Sequence, residues 1–152
     1  MCFGPGSSGR VALVLTVLAG AIGVEREGML LQNASYRSVH EKVETPNVLM
    51  GLFDEERPNI VIHLAAQAGV RYSIENPRAY LESNINGTFE LLEAARAFPP
   101  EHMLLASTSS AYGANEDMPY RETVKADHQM SFYAATKKST SVHSQCLTQA
   151  ES

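Results

Sequence analysis

The sequence predicts an α/β fold in which helices flank a parallel sheet, because apolar segments of two kinds alternate along the chain. Short continuous runs of leucine and β-branched residues lie at 11–16, 59–66 and 102–107, as expected for strands covered on both faces. Segments with apolar residues at helical spacing follow these runs. Alternating strands and helices form βαβ units, and such sheets bind ligands beyond the carboxyl ends of their strands.

The first expected strand, "VALVLT" at 11–16, leads into the small residues of "LAGAIG". The same stretch also resembles a signal peptide, since one arginine precedes an apolar run. The run is shorter than the ~20 residues that a membrane span needs, which favours a buried strand. A membrane-anchored alternative depends on 11–24 alone.

Prolines and turn residues bound the next elements. A helix is expected over 47–56 because its apolar side chains recur at helical spacing, and Pro58 ends it. The second strand follows at 59–66, and the third, "HMLLAS", lies at 102–107.

A long amphipathic helix is expected over 76–98, between an Asn-Pro and a Pro-Pro pair. Its expected packed face consists of Tyr80, Leu81, Ile85, Phe89, Leu92 and Ala95. A polar loop over 113–130 then leads to a last helix that begins near Ser131.

Composition limits the size of the protein and the classes of partner. A chain of 152 residues can bury one core, so one domain or a piece of a larger one is expected. A net charge of -5 without a basic cluster argues against nucleic acid. Cys2 and Cys146 lie at opposite ends, and the histidines show no ligand spacing. We therefore expect a cytoplasmic protein with no metal site.

A tyrosine and a lysine near the start of the last helix carry the clearest chemical signal. Tyr133 and Lys137 are four residues apart in "SFYAATKK", so they lie on one helix face. A free tyrosine has a pKa of ~10, and a nearby cation lowers that pKa towards the range of a general base. The same spacing also suits a half-exposed helix whose aromatic ring is tucked inward.

A run of hydroxyl side chains, Ser107 to Ser110, follows the third strand. Such groups could bond a substrate hydroxyl or cap a turn. This run, a loop of about twenty residues and "YAATK" together resemble the extended short-chain dehydrogenase/reductases, within them the nucleotide-sugar epimerases. The stretch "VIHLAAQAGVRYSIENPRAYLESNINGTFELLEA" is similar to UDP-glucuronate 4-epimerases. The resemblance is strongest over 52–140 and implies a Rossmann-like, NAD-binding domain.

The resemblance implies roles for individual residues. Thr108 matches the family's catalytic hydroxyl, Tyr133 its base, and Lys137 the residue that tunes the base and binds the ribose. The residues implied to contact NAD are Gly20, Gly23, Leu64, Ala65, Ala66, Gln67, Ser83, Asn84, Tyr133 and Lys137. Those implied to contact a UDP-sugar are Gly69, Val70, Arg71, Thr108, Ser109 and Ser110.

The implied reaction is the 4-epimerisation of a UDP-uronate such as UDP-glucuronate through a 4-keto intermediate. Tyr133 would take the proton of the 4-hydroxyl while a hydride passes to NAD and later returns to the other face. Related dehydratases carry Asp-Glu after the threonine, and decarboxylating relatives keep a glutamate there. This chain has Ser109-Ser110, which favours an epimerase over the dehydratase or decarboxylase alternative.

Three departures indicate a partial domain over 1–152. Val17 occupies the first glycine position of the dinucleotide fingerprint, in "TVLAGAIG". The interval to His63 is short, so the first βαβ unit is expected to be reduced. The acidic residue that would bind the adenosine ribose has no clear counterpart, and Glu41 and Glu44 are candidates by distance alone. The resemblance ends after "KKST", so we expect the C-terminal substrate domain to be missing. The alternative function is an inactive truncated remnant that associates with itself, as a homodimer for instance, or with a full-length relative.

Overall fold

A computed structural model describes residues 27–34, 36–115, 118–121 and 123–150. The predicted strand at 11–16, the fingerprint with Gly20 and Gly23, and the proposed membrane segment at 11–24 lie outside these residues. No helix in the described part is both long and apolar enough to cross a membrane. Residues 27–30 form a helical turn that precedes the main elements.

Helix α1, Val48–Glu56, confirms the prediction for 47–56. Leu49 and Phe53 are one turn apart and are both buried, as the apolar spacing requires. The helix is bounded by two residues in the left-handed conformation, Asn47 at φ 65° and Arg57 at φ 46°.

Two parallel strands follow, β1 at Ile60–His63 and β2 at His102–Leu105. Ile60 pairs with His102 and His63 pairs with Leu105, so both strands end at the same edge of the sheet. The parallel α/β prediction is therefore confirmed, although each strand is shorter than predicted. The loop after β1 and the turn after β2 consequently begin side by side.

The connection between the strands is helical for most of its length. Helix α2 at Val70–Glu75, which was not predicted, is followed by α3 at Pro77–Tyr80, with proline at its first turn. A π-helical turn at Leu81–Asn86 joins α3 to α4 at Gly87–Ala97 without a break in helical backbone. We call the continuous segment from α3 to α4 the long helix, and it confirms the helix predicted over 76–98.

The packed face of the long helix differs from the predicted face. Its buried side chains include Tyr80, Asn84 and Thr88, whereas Leu81 and Phe89 are exposed. A π turn takes more residues than an α turn, so it rotates the residues that follow it relative to a regular helical pattern. The prediction was wrong at Leu81 and Phe89 because it assumed a regular helix.

The core lies between the sheet, α1 and α4. Its buried apolar residues are Val43, Leu49, Phe53, Val61, Leu91 and Ala94. Helix α5, Phe132–Ala150, packs against the π turn and α2 and begins where the sequence predicted. The hydroxyl of Ser131 accepts a 3.1 Å hydrogen bond from the amide of Ala134, which caps the first turn of this helix.

Candidate functional site

Two side chains of the long helix form hydrogen bonds with the backbone of the loop that follows β1. The amide of Gln67 donates a 2.7 Å hydrogen bond to Oδ1 of Asn84, and Nδ2 of Asn84 donates to the carbonyl of Gln67 at 3.1 Å. The hydroxyl of Tyr80 lies 2.8 Å from the carbonyl oxygen of Ala68 and 2.6 Å from that of Gly69. These contacts fix the backbone over three consecutive residues.

The turn that follows β2 is a short 3-10 helix at Ser109–Tyr112. Thr108 is extended and caps it, since its hydroxyl accepts a 3.3 Å hydrogen bond from the amide of Ser110. Ser109 is exposed, whereas Thr108 and Ser110 are partly buried. The hydroxyl run thus caps a turn and also presents an exposed serine at the end of the strand.

Helix α5 packs against this turn and against the π turn of the long helix. Tyr133, in its first turn, is partly buried and sets its ring edge-on to Tyr80, with the ring centroids 6.0 Å apart. Lys137 lies one turn further along and is buried. Between them, Thr136 accepts a 2.9 Å hydrogen bond from Nδ2 of Asn84. The two predicted chemical residues therefore lie where three elements meet.

Burial controls the electrostatics around Lys137. Desolvation lowers the pKa of its ammonium, and in the described part of the chain no carboxylate forms an ion pair with it. Desolvation, and to a lesser extent the charge of Lys137, lower the pKa of His63 from 6.5 to about 4. His63 is therefore neutral near pH 7, with Nε2 3.4 Å from Oγ1 of Thr88.

The structure brings most of the sequence-predicted residues to one edge of the sheet. Gln67 and Asn84 contact each other, and Leu64 to Gly69 form the loop directly beyond β1. Val70 and Arg71 begin α2 and are exposed, and Ser83 is partly buried beside Asn84. The amide of Asn84 is fully engaged in contacts within the protein.

Sequence reasoning missed three contributors to this arrangement. Tyr80 was assigned only to the packed face, and neither His63 nor Thr136 was selected. A usable signal existed, because Asn84 and Thr88 are polar residues that continue the helical row of Tyr80 at four-residue steps. Polar groups in such a row need buried partners. Over the described residues, no group of three or more potential ligands could hold a metal ion.

Comparison with known proteins shows which family this chain resembles. The family model described as GDP-mannose 4,6 dehydratase matches residues 25–149. A probable UDP-glucuronate 4-epimerase from Rhizobium meliloti is 48% identical over 116 residues, which are 76% of this chain and 34% of that protein. The chain thus spans about a third of the length of this curated relative.

Two solved structures share the fold. The UDP-glucuronic acid 4-epimerase of Bacillus cereus, in complex with UDP-glucuronic acid and NAD, superposes with a TM-score of 0.71 at 28% identity. The match covers 80% of this chain and 37% of that one. The UDP-glucose-4-epimerase of Stenotrophomonas maltophila has a TM-score of 0.76 at 24% identity, over 93% of this chain and 42% of that one. The Rossmann-like prediction is confirmed, and the chain belongs to the GDP-mannose 4,6 dehydratase family, a member of the extended short-chain dehydrogenase/reductases.

Proposed function

We propose that this chain is an NAD-binding part of a nucleotide-sugar 4-epimerase that acts on a UDP-uronate such as UDP-glucuronate. The observation that carries the proposal is the pair on α5: Tyr133 with Lys137 one turn beyond it, next to the turn that Thr108 caps. The assignment of residues 1–152 to one partial NAD-binding domain belongs to the same proposal. Similarity to UDP-glucuronate 4-epimerases supports the choice of substrate.

Tyr133 is proposed as the base that removes the proton of the sugar 4-hydroxyl. The buried ammonium of Lys137 lies on the same helix face and has no carboxylate partner among the described residues, so its charge remains available to stabilise a phenolate. Thr108, which caps the turn beyond β2, is proposed to bond the same sugar hydroxyl. Each role uses a polar group at the carboxyl edge of the sheet.

The donor groups at this edge fit a dinucleotide. Lys137 offers an ammonium to ribose hydroxyls, and the loop after β1 offers backbone beside small side chains at Ala65 and Ala66. We propose that Leu64 to Gln67, Ser83 and Asn84 border this cofactor, with Gly20 and Gly23 towards its phosphates. NAD, when bound, supplies the acceptor and later the donor of a hydride. Asn84 would act by fixing Gln67, since its own amide is engaged.

Ser109 and Ser110 support epimerisation over elimination of water. Elimination needs an acid and a base at this place, and two neutral hydroxyls supply neither. A uronate carboxylate accepts hydrogen bonds from hydroxyls, and Ser109 is exposed to donate one. We propose that Gly69, Val70 and Arg71 complete the sugar site, since Arg71 is exposed beside the loop and carries the matching charge.

The proposed protein partner is a second copy of this chain. Phe89 of α4 and Val142 of α5 are each 46% exposed, and Phe89 stacks on His143 with the ring centroids 6.0 Å apart. Exposed apolar side chains on two neighbouring helices suit self-association. Size-exclusion chromatography should give a dimer for the wild type and a monomer for Phe89→Glu, with Ile74→Glu of α2 as the control that stays dimeric.

Binding and turnover test the proposed function. We expect NAD and UDP-glucuronate to raise the melting temperature, and UDP-galacturonate to form if the chain is complete enough to turn over. Tyr133→Phe should lower turnover by about 10²-fold or more while NAD binding persists. Tyr36→Phe, which removes a buried hydroxyl that has no hydrogen-bond partner among the described residues, is the matched control from the segment before α1. A chain that binds neither ligand would refute the proposal and favour the non-catalytic alternative.

A further inference from the structure

We propose that Tyr80 is a positioning residue that couples the loop after β1 to Tyr133, so that one buried ring sets the geometry of both. The inference rests on the proposed function, because it takes the loop after β1 as a ligand site and Tyr133 as the base. Its evidence is independent of that function and consists of the contacts that surround Tyr80.

Tyr80 has 0% exposure and is the largest fully buried side chain in the described residues. A buried hydroxyl needs a hydrogen-bond partner, and this one has two carbonyls within reach, those of Ala68 and Gly69. A phenol has a single proton, so the two carbonyls share one donor. Both oxygens must therefore converge on the same point, which restricts the orientation of two successive peptide groups.

Gly69 adopts a conformation that favours this convergence. Its φ is 103°, a value that side chains disfavour, and a Cβ built there would lie 3.6 Å from the hydroxyl of Tyr80. The unusual backbone thus occurs at the residue whose carbonyl oxygen lies 2.6 Å from the phenol hydroxyl. Gly69 also precedes α2, whose first residues, Val70 and Arg71, are those proposed to contact the sugar.

The ring of Tyr80 also contacts two other aromatic rings. It meets Tyr133 edge-on at an interplanar angle of 71°, and it contacts Tyr72 of α2 at 6.1 Å between ring centroids. Edge-to-face contacts of this kind are directional, so they orient both rings. Tyr80 therefore lies between α2 and α5, and a displacement of its ring would move the proposed base and the proposed sugar loop together.

Burial raises the pKa of Tyr80, which keeps its hydroxyl protonated as a donor. Tyr80 therefore acts through the groups that it contacts, as a hydrogen-bond donor to the loop and as a ring partner of Tyr133.

The test separates the hydroxyl from the ring. Tyr80→Phe keeps the ring contact and removes the donor, so amide exchange over 68–70 should become about tenfold faster. Tyr80→Leu removes both, so the 19F resonance of Tyr133 in 3-fluorotyrosine-labelled protein, identified by its loss in Tyr133→Phe, should shift as well. Tyr72→Phe, which removes a hydroxyl that accepts a 2.9 Å hydrogen bond from Asn76, is the control and should leave loop exchange unchanged.

Three outcomes overturn the inference. Unchanged loop exchange in Tyr80→Phe removes the link to the loop, and an unmoved Tyr133 resonance in Tyr80→Leu removes the link to the base. If Tyr80→Leu does not fold, the wild-type protein provides the test. The inference requires a slowly exchanging hydroxyl proton on Tyr80 and nuclear Overhauser contacts between the rings of Tyr80 and Tyr133, and their absence overturns it.

Wild-type protein that binds neither NAD nor UDP-glucuronate would refute the proposed function alone. If it does bind, Tyr80→Phe should weaken UDP-glucuronate about tenfold and leave NAD binding intact.

Discussion

The side-chain amide of Asn84 donates a 2.9 Å hydrogen bond to Oγ1 of Thr136, a residue 52 positions further along the chain. The same amide holds the backbone of Gln67 through both its N–H and its carbonyl. One buried side chain therefore fixes the loop after β1, the long helix and α5 relative to each other. The proposed cofactor loop and the helix that carries Tyr133 are connected through it.

Asn84→Ala should destabilise the protein by roughly 2–3 kcal/mol, because it leaves the amide of Gln67 without a buried acceptor. Asn86→Ala, two residues on and exposed, should change stability by less than about 0.5 kcal/mol. Urea unfolding of the three proteins measures both values. Equal stability of the two variants would mean that the hydrogen bonds of the Asn84 side chain do not stabilise the contact between the loop after β1, the long helix and α5.

The sequence predicted the parts of this arrangement that depend on local pattern. Short apolar runs next to prolines predicted β1 and β2, and four-residue spacing placed Tyr133 and Lys137 on one helix face. The π turn at Leu81–Asn86 was not predictable, because a change of hydrogen-bond pattern within a helix has no characteristic residue. The bond between Asn84 and Thr136 was equally hidden, because it exists only once two distant helices pack together.

Gly87→Ala should destabilise the protein by about 1–3 kcal/mol, although alanine is the better helix former. A Cβ at Gly87 would lie 2.6 Å from Cγ2 of Val43, a buried and stiff β-branched core residue, so the Val43 side chain or the adjoining backbone must shift. Gly51→Ala is the control, since Gly51 lies within α1 and a Cβ there would have no atom of the described residues within 4 Å, and it should stabilise by about 0.5–1 kcal/mol. Thermal melts compare the two, and a stabilised Gly87→Ala would contradict the close approach.

Acid should destabilise the protein through His63. Its pKa in the folded state is about 4, below its ordinary value of 6.5, so between these values the unfolded chain binds the extra proton. The contribution is fully present above pH 6.5 and is lost as the pH falls towards 4, by an amount on the order of 3 kcal/mol. His63→Gln should remove this part of the pH dependence, whereas His102→Gln, at an exposed site, should retain it. Urea midpoints between pH 4 and pH 7 on the three proteins measure the effect, and parallel curves for His63→Gln and wild type would contradict it.

Lys137→Met should stabilise the fold while weakening NAD binding. Lys137 is 4% exposed, and its ammonium has no carboxylate partner in the described residues. Desolvation of the ammonium therefore makes the free energy of folding less favourable, and no ion pair offsets this cost. A methionine of similar length fills the space without that cost, and we expect a gain of about 1 kcal/mol at pH 7. Because the pKa of Lys137 is lowered, the wild type should recover stability as the pH rises towards 10.5, so the gain should shrink there. Lys138→Met, at the more exposed neighbour, should change stability by less than about 0.5 kcal/mol and leave NAD binding intact. A destabilised Lys137→Met would contradict the prediction, because it would show that favourable contacts of the ammonium outweigh the cost of its desolvation.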